Sequence, residues 1–109
     1  MEEKAMELSN AILESEEYKQ YLTAKCALDQ KQELLLRVNE YRKKNFYIQN
    51  SEGGNKQEEI RRLTGEYYDV LNEKIVSDFL QAELLLCRCI QKINAIMMER
   101  LDFDVSFIK

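Results

Sequence analysis

The stretch that decides the fold is IVSDFLQAELLLCRCIQKINAIMMERL, residues 75–101. Of its 27 residues, 17 are hydrophobic by a broad count, and none is Pro or Gly. Nothing in it interrupts a helix, and its apolar side chains recur at helical rather than alternating spacing. One face carries Phe79, Ala82, Leu86, Cys89, Ile93, Ile96 and Leu101. Another carries Leu80, Leu84, Cys87 and Met98, with Leu85 between them. A helix on the outside of a monomer buries one stripe. One that is apolar nearly all round at 84–87 therefore lies at the centre of a bundle or is shared with another chain. The other helices are too few and too charged to wrap it on every side. The expected fold is all-α, a small bundle of three main helices, some kinked or broken, that dimerises through the C-terminal helix. Phe79, Leu84, Leu86, Ile90, Ile93 and Met97 are the candidate dimer-interface residues.

The whole chain supports a helical reading. At 109 residues it is one domain's worth of sequence, 1–109, with no room for a second core. It is 45% hydrophobic and 33% charged, with a mean hydropathy of -0.52. It contains no Pro, no His and three Gly. An all-β sandwich or barrel needs many turns, and turns draw on Gly and Pro, so that class is nearly excluded. Without His there is no Ser-His-Asp or Cys-His nucleophile pair, no His-ligated metal and no histidine pH switch. The expectation is a non-enzymatic protein with no cofactor.

Charge narrows the partners. Sixteen bases and 20 acids give a net charge of -4. Residues 1–50 carry nine acids and eight bases, and residues 51–109 carry eleven and eight. Neither half has the basic footprint of a duplex-binding protein. Arg42-Lys43-Lys44 and Arg61-Arg62 are the densest basic spots, and both sit among acids as a solvated helix face would. Direct nucleic-acid binding is not expected. The start, Met1-Glu2-Glu3-Lys4, has no signal-peptide character. The longest uninterrupted apolar run, 84–87, is four residues, far short of the roughly 18 a membrane span needs. A cytoplasmic location is expected by elimination.

Local signals divide the chain. Ala5, Leu8 and Ile12 form a short stripe, and Ser15 is a candidate N-cap followed by Glu16 and Glu17. Asp29 and Gln32 have near capping-box spacing, so a new or kinked helix starts there. Leu34, Val38, Tyr41, Asn45 and Ile48 alternate by four and three as a heptad seam, with Asn45 either in a core slot or hydrated at the seam's edge. Residues 51–55, Ser-Glu-Gly-Gly-Asn, read as a loop, and Asn55 with Glu58 again has cap spacing. Breaks are expected near Thr64-Gly65 and at Asn72. Residues 102–109 alternate polar and apolar and read as an extended or disordered tail.

Candidate chemistry is sparse. Glu14 with Glu17 and Glu59 with Glu66 have helical spacing, but no catalytic motif joins them, and solvated faces account for them. Glu83 is different, because Phe79, Leu80 and Leu86 surround it on the most apolar helix. A charge isolated there would be costly, so it must have a partner or reach solvent. Arg42 and the tyrosine hydroxyls are the candidate partners, with Glu83–Arg42 the expected buried polar pair. Tyr18, Tyr21, Tyr41 and Tyr67 lie at stripe positions, which favours packing over base stacking. Three Cys are too few for a disulfide framework. Cys87 and Cys89 project about 200° apart on a helix and cannot share one metal without unwinding it. With Cys26 they read as buried small hydrophobes.

Ala11-Ile12, then Glu14-Ser15-Glu16-Glu17-Tyr18-Lys19 and Tyr21, resemble the start of the bacterial YlbF/YmcA/YheA family. So do Val38-x-x-Tyr41-Arg42 and Val76-x-x-Phe79-Leu80-x-Ala82-Glu83, in the same order over nearly the whole chain. The resemblance implies a small, cytosolic protein of three-helix protomers that associate as dimers. It further implies a regulator of competence, sporulation and biofilm formation, acting as a non-enzymatic partner in a complex that affects RNase Y and RNA maturation. The implied partners are a second copy of the chain and other proteins, including related family members. Some members hold an iron–sulfur cluster through Cys residues near the C-terminus. This chain has no Cys there, so the cluster is not carried over, and the YheA-like branch fits at least as well as YlbF or YmcA. The first rival reading is an iron–sulfur or metal-binding subunit of a heteromeric complex that uses these Cys residues, and the second is an enzyme using Glu83 with tyrosines in a bundle pocket.

Overall fold

The computed structural model describes residues 1–101, and these are all-helical, with six helices and no strand. Helix α1 spans Glu2–Leu13 and α2 spans Glu16–Asp29. Ser15 separates them. Its Oγ accepts from the Tyr18 N–H at 3.2 Å and donates to the Ile12 carbonyl at 2.6 Å, so one side chain closes α1 and opens α2. Helix α3 spans Gln32–Asn50. The expected Asp29–Gln32 capping box does not form. Lys31 takes the N-cap position, Gln32 Nε2 donates to the Asp29 carbonyl at 2.9 Å, and Lys25 Nζ donates to the Asp29 carboxylate at 3.3 Å. The boundary falls where that spacing placed it, by different contacts.

Residues 51–55 connect α3 to α4, Lys56–Glu66. Gly53 and Gly54 both adopt left-handed φ values, 72° and 73°, which side-chain-bearing residues rarely do. Asn55 caps α4 by accepting from the Glu58 N–H at 3.3 Å. Gly65 does not break α4. The interruption falls at Tyr67, where φ is -107° and ψ is 20°. The short α5, Tyr68–Leu71, ends on Asn72, and α6 runs over Lys74–Glu99. The bundle therefore has six helices among the described residues, three longer ones, α2, α3 and α6, and three shorter ones. Residues 102–109, read above as an extended or disordered tail, lie outside the described residues.

The core forms where α2, α3, α5 and α6 meet. Leu28, Val38, Val70, Val76 and Phe79 are buried together, edged by the half-buried Tyr21, Leu34, Leu35, Ile75 and Leu80. The α2 and α6 helices run antiparallel along one another. Ala27 lies near Ile75 at one end, and Glu16 near Leu85, Arg88 and Lys92 at the other. Leu63 and Tyr67 add a smaller buried patch where α4 meets α3. No described helix is long and apolar enough to cross a membrane.

These helices make a slab, with extents of 45 × 37 × 15 Å. The radius of gyration is 17.2 Å, whereas a compact chain of this length would have about 13 Å. The accessible surface is 9040 Å², against roughly 6300 Å² for a compact monomer of this mass.

Candidate interaction surface

Helix α6 changes character along its length. Its buried residues are Val76, Phe79, Ala82 and Leu86, all in the first half. The same stripe continues through Ile90, Ile93 and Met97 at spacings of three and four, but there it runs out of cover. Ile90 is 46% exposed and Met97 48%, while Ile93 is half-buried. Leu84 is exposed on a different side. Two of the six expected interface residues therefore need correcting. Phe79 and Leu86 pack inside the protomer, where they are 3% and 8% exposed, and the start of α2 reaches along α6 only as far as Lys92. The sequence stripe is continuous and does not show where its own chain stops covering it.

The expected polar pair meets between α3 and α6. Arg42 Nη2 donates to Glu83 Oε2, while Nη1 donates to Asn39 Oδ1 at 3.2 Å. The Arg42 guanidinium also lies 5.2 Å from the centroid of the Phe79 ring. The pair is not buried, however: the side chains are 40% and 28% exposed. Long polar side chains can lay their stems on apolar surface and keep their charged ends wet, so Glu83 needs no burial to sit on this helix. Beside the pair runs an open groove of about 640 Å³ lined by Tyr41, Phe46, Leu80, Leu84 and Cys87. Phe46 is 65% exposed there and lies off the α3 seam, so the heptad pattern does not mark it. An aromatic residue outside a seam next to basic residues was the available signal.

Tyr67 organises the α3–α4 side. It is buried, its ring meets Tyr41 edge-on at 5.8 Å, and its hydroxyl donates to Glu40 Oε2 at 3.2 Å. Lys44 Nζ and the Arg37 guanidinium lie 5.2 and 5.6 Å from the ring centroid. The proximity of Tyr67 raises the Lys44 pKa. Arg37 Nη1 also donates to Asp69 Oδ2 at 2.6 Å, which lowers the Asp69 pKa and raises that of Arg37, against a smaller opposing effect of desolvation. Tyr18, Tyr21 and Tyr41 are half-buried, so all four stripe tyrosines pack, whereas Tyr47 and Tyr68 are exposed.

The cysteines depart from their expected burial. Cys26 and Cys87 are exposed and Cys89 is half-buried. Each lies near apolar neighbours on its helix, but no other helix covers Cys26 or Cys87. Among the described residues, no three His, Cys, Asp or Glu side chains are grouped to hold a metal ion. The side chains brought together are apolar stripes, aromatic edges and ion pairs, which are means of packing and docking.

Fold and surface define a class: a small all-helical protein whose apolar stripe continues past its own core. The chain belongs to the YlbF/YmcA family, described as control of competence regulator ComK, whose family model matches residues 1–102. That family is one of competence-control factors. No curated protein and no solved structure matches the chain.

Proposed function

We propose that this chain is a non-enzymatic regulatory interaction module that works as a cytoplasmic homodimer. Two copies join through the distal half of α6, and the more polar helices offer surfaces to other proteins. The observation that carries this reading is the exposed run of Ile90, Ile93 and Met97 in line with the buried Phe79 and Leu86. An apolar stripe left open on a helix marks an interface. Family membership supports a regulatory role in competence. The same resemblance extends the proposal to sporulation and biofilm control through an RNase Y-linked complex. The non-enzymatic reading is supported by the absence of His and by the engagement of Glu83 with Arg42.

Affinity purification of the chain from its native cell, followed by mass spectrometry, tests this function. RNase Y-associated proteins or related family members are expected above a tag-only control. Recovery of none of them would count against the regulatory assignment. The protein purified without air is expected to be colourless and iron-free. A bound iron–sulfur chromophore would favour the first rival reading instead.

A further inference from the structure

We propose that α1 is a dimerisation element. Its exposed apolar face packs on the distal half of α6 from a second copy, so that two α1 helices and two distal α6 segments form an intermolecular four-helix bundle. The proposal rests on the homodimer reading and assigns it a second helix.

Helix α1 has no buried residue. Twelve residues are marginal as an isolated helix in water, and packing of an amphipathic face normally supplies the missing stability. Leu8 and Ile12 are half-buried, whereas Met6 and Leu13, seven positions apart and so near one another on the helix, are exposed. Distal α6 likewise has no buried residue beyond Leu86. Both uncovered segments start at the same end of the molecule. The N-terminus of α2, from which α1 departs, lies against Leu85, Arg88, Cys89 and Lys92 of α6. The protomer therefore gathers its unburied apolar helices in one place without closing them on each other.

Area and charge select the occupant. The accessible surface of 9040 Å² exceeds the roughly 6300 Å² of a compact chain of this mass. A stable dimer needs roughly 800 Å² per partner. Residues 1–14 carry four acids and one base, and residues 88–101 carry three bases and one acid. Two α1 helices face to face would repel, while α1 against the partner's distal α6 is attractive. That pairing places each acidic helix between basic neighbours.

Two chains of different tag size test the proposal, each with Cys26, Cys87 and Cys89 replaced by Ser. One carries Met6→Cys and the other Met97→Cys, and the two are refolded together and treated with a short bismaleimide linker. Cross-linked product containing both tags is expected, at least tenfold above a control pairing Met6→Cys with Glu73→Cys, at the opposite end of α6 from Met97. Separately, Met6→Glu with Leu13→Glu is expected to weaken dimerisation at least tenfold without loss of helical circular dichroism. If the unsubstituted protein sediments as a dimer but neither effect appears, α1 lies outside the interface and the homodimer reading survives. In a third chain carrying both substitutions, cross-linking within the chain and none between chains would likewise overturn the proposal. An unsubstituted protein that sediments as a monomer would remove both readings.

Discussion

Arg42 ties α3 to α6 by more than charge, because its guanidinium bonds Glu83 and Asn39 and lies near the Phe79 ring. Lysine keeps the charge but lacks the planar fork and the stacking surface. Arg42→Lys is therefore expected to lower the melting temperature nearly as much as Arg42→Ala, by a few degrees. A double-mutant cycle with Glu83→Ala should give a coupling of about 0.5–1 kcal/mol, modest because both side chains reach solvent. A coupling of zero would mean the pair is ornamental. Asp69 makes a pH prediction. Its pKa is lowered in the fold by Arg37, so its contribution is complete above the ordinary carboxylate range near 4 and is lost as pH falls through the lower folded value. Asp69→Asn should reduce stability at neutral pH, and the difference from the unsubstituted chain should close in strong acid. A constant difference across that range would contradict the assignment. Individual residues were legible when their chemistry demanded a partner: Glu83 and Arg42 were paired from sequence alone. Burial was less legible. The Cys residues and the depth of the Glu83–Arg42 pair were misjudged, because an apolar neighbourhood along one helix does not show whether another helix covers it.

At the scale of elements, α6 is two helices in one. Its first half is core and its second half is surface, with the change at Leu86. Leu86→Asp is expected to unfold the protomer, whereas Met97→Asp should keep its helicity and lose only self-association. Circular dichroism and sedimentation together separate the two. Leu28→Ala, at the joint of α2 with α6 and α3, should cost about 2–4 kcal/mol in denaturant unfolding, since the side chain is almost fully enclosed. Ser15→Ala should cost about 1 kcal/mol through the lost α2 cap. The caps at Ser15 and Asn55 were readable because a short polar side chain before a helix has one evident use. The other boundaries were harder. Gly65 costs helix stability but leaves α4 intact, in open space where even a Cβ would meet nothing, and the chain turns instead at the buried Tyr67. No local signal marks a break imposed by tertiary packing.

The whole molecule is a flat slab, longer and more exposed than a compact chain of its size. All-helical architecture followed from composition and periodicity. The excess of apolar surface was also legible, as a last helix with more apolar faces than the other helices could cover. The point at which that helix leaves its own core was not, because it depends on how far the other helices extend alongside it. The central claim is that the uncovered remainder is an interface between two copies. Sedimentation velocity on the full chain, diluted through the micromolar range, tests it most directly. The account predicts a species of twice the 13.0 kDa chain mass that Met97→Asp converts to the single chain. A single-chain species of the unsubstituted protein at every concentration would contradict it.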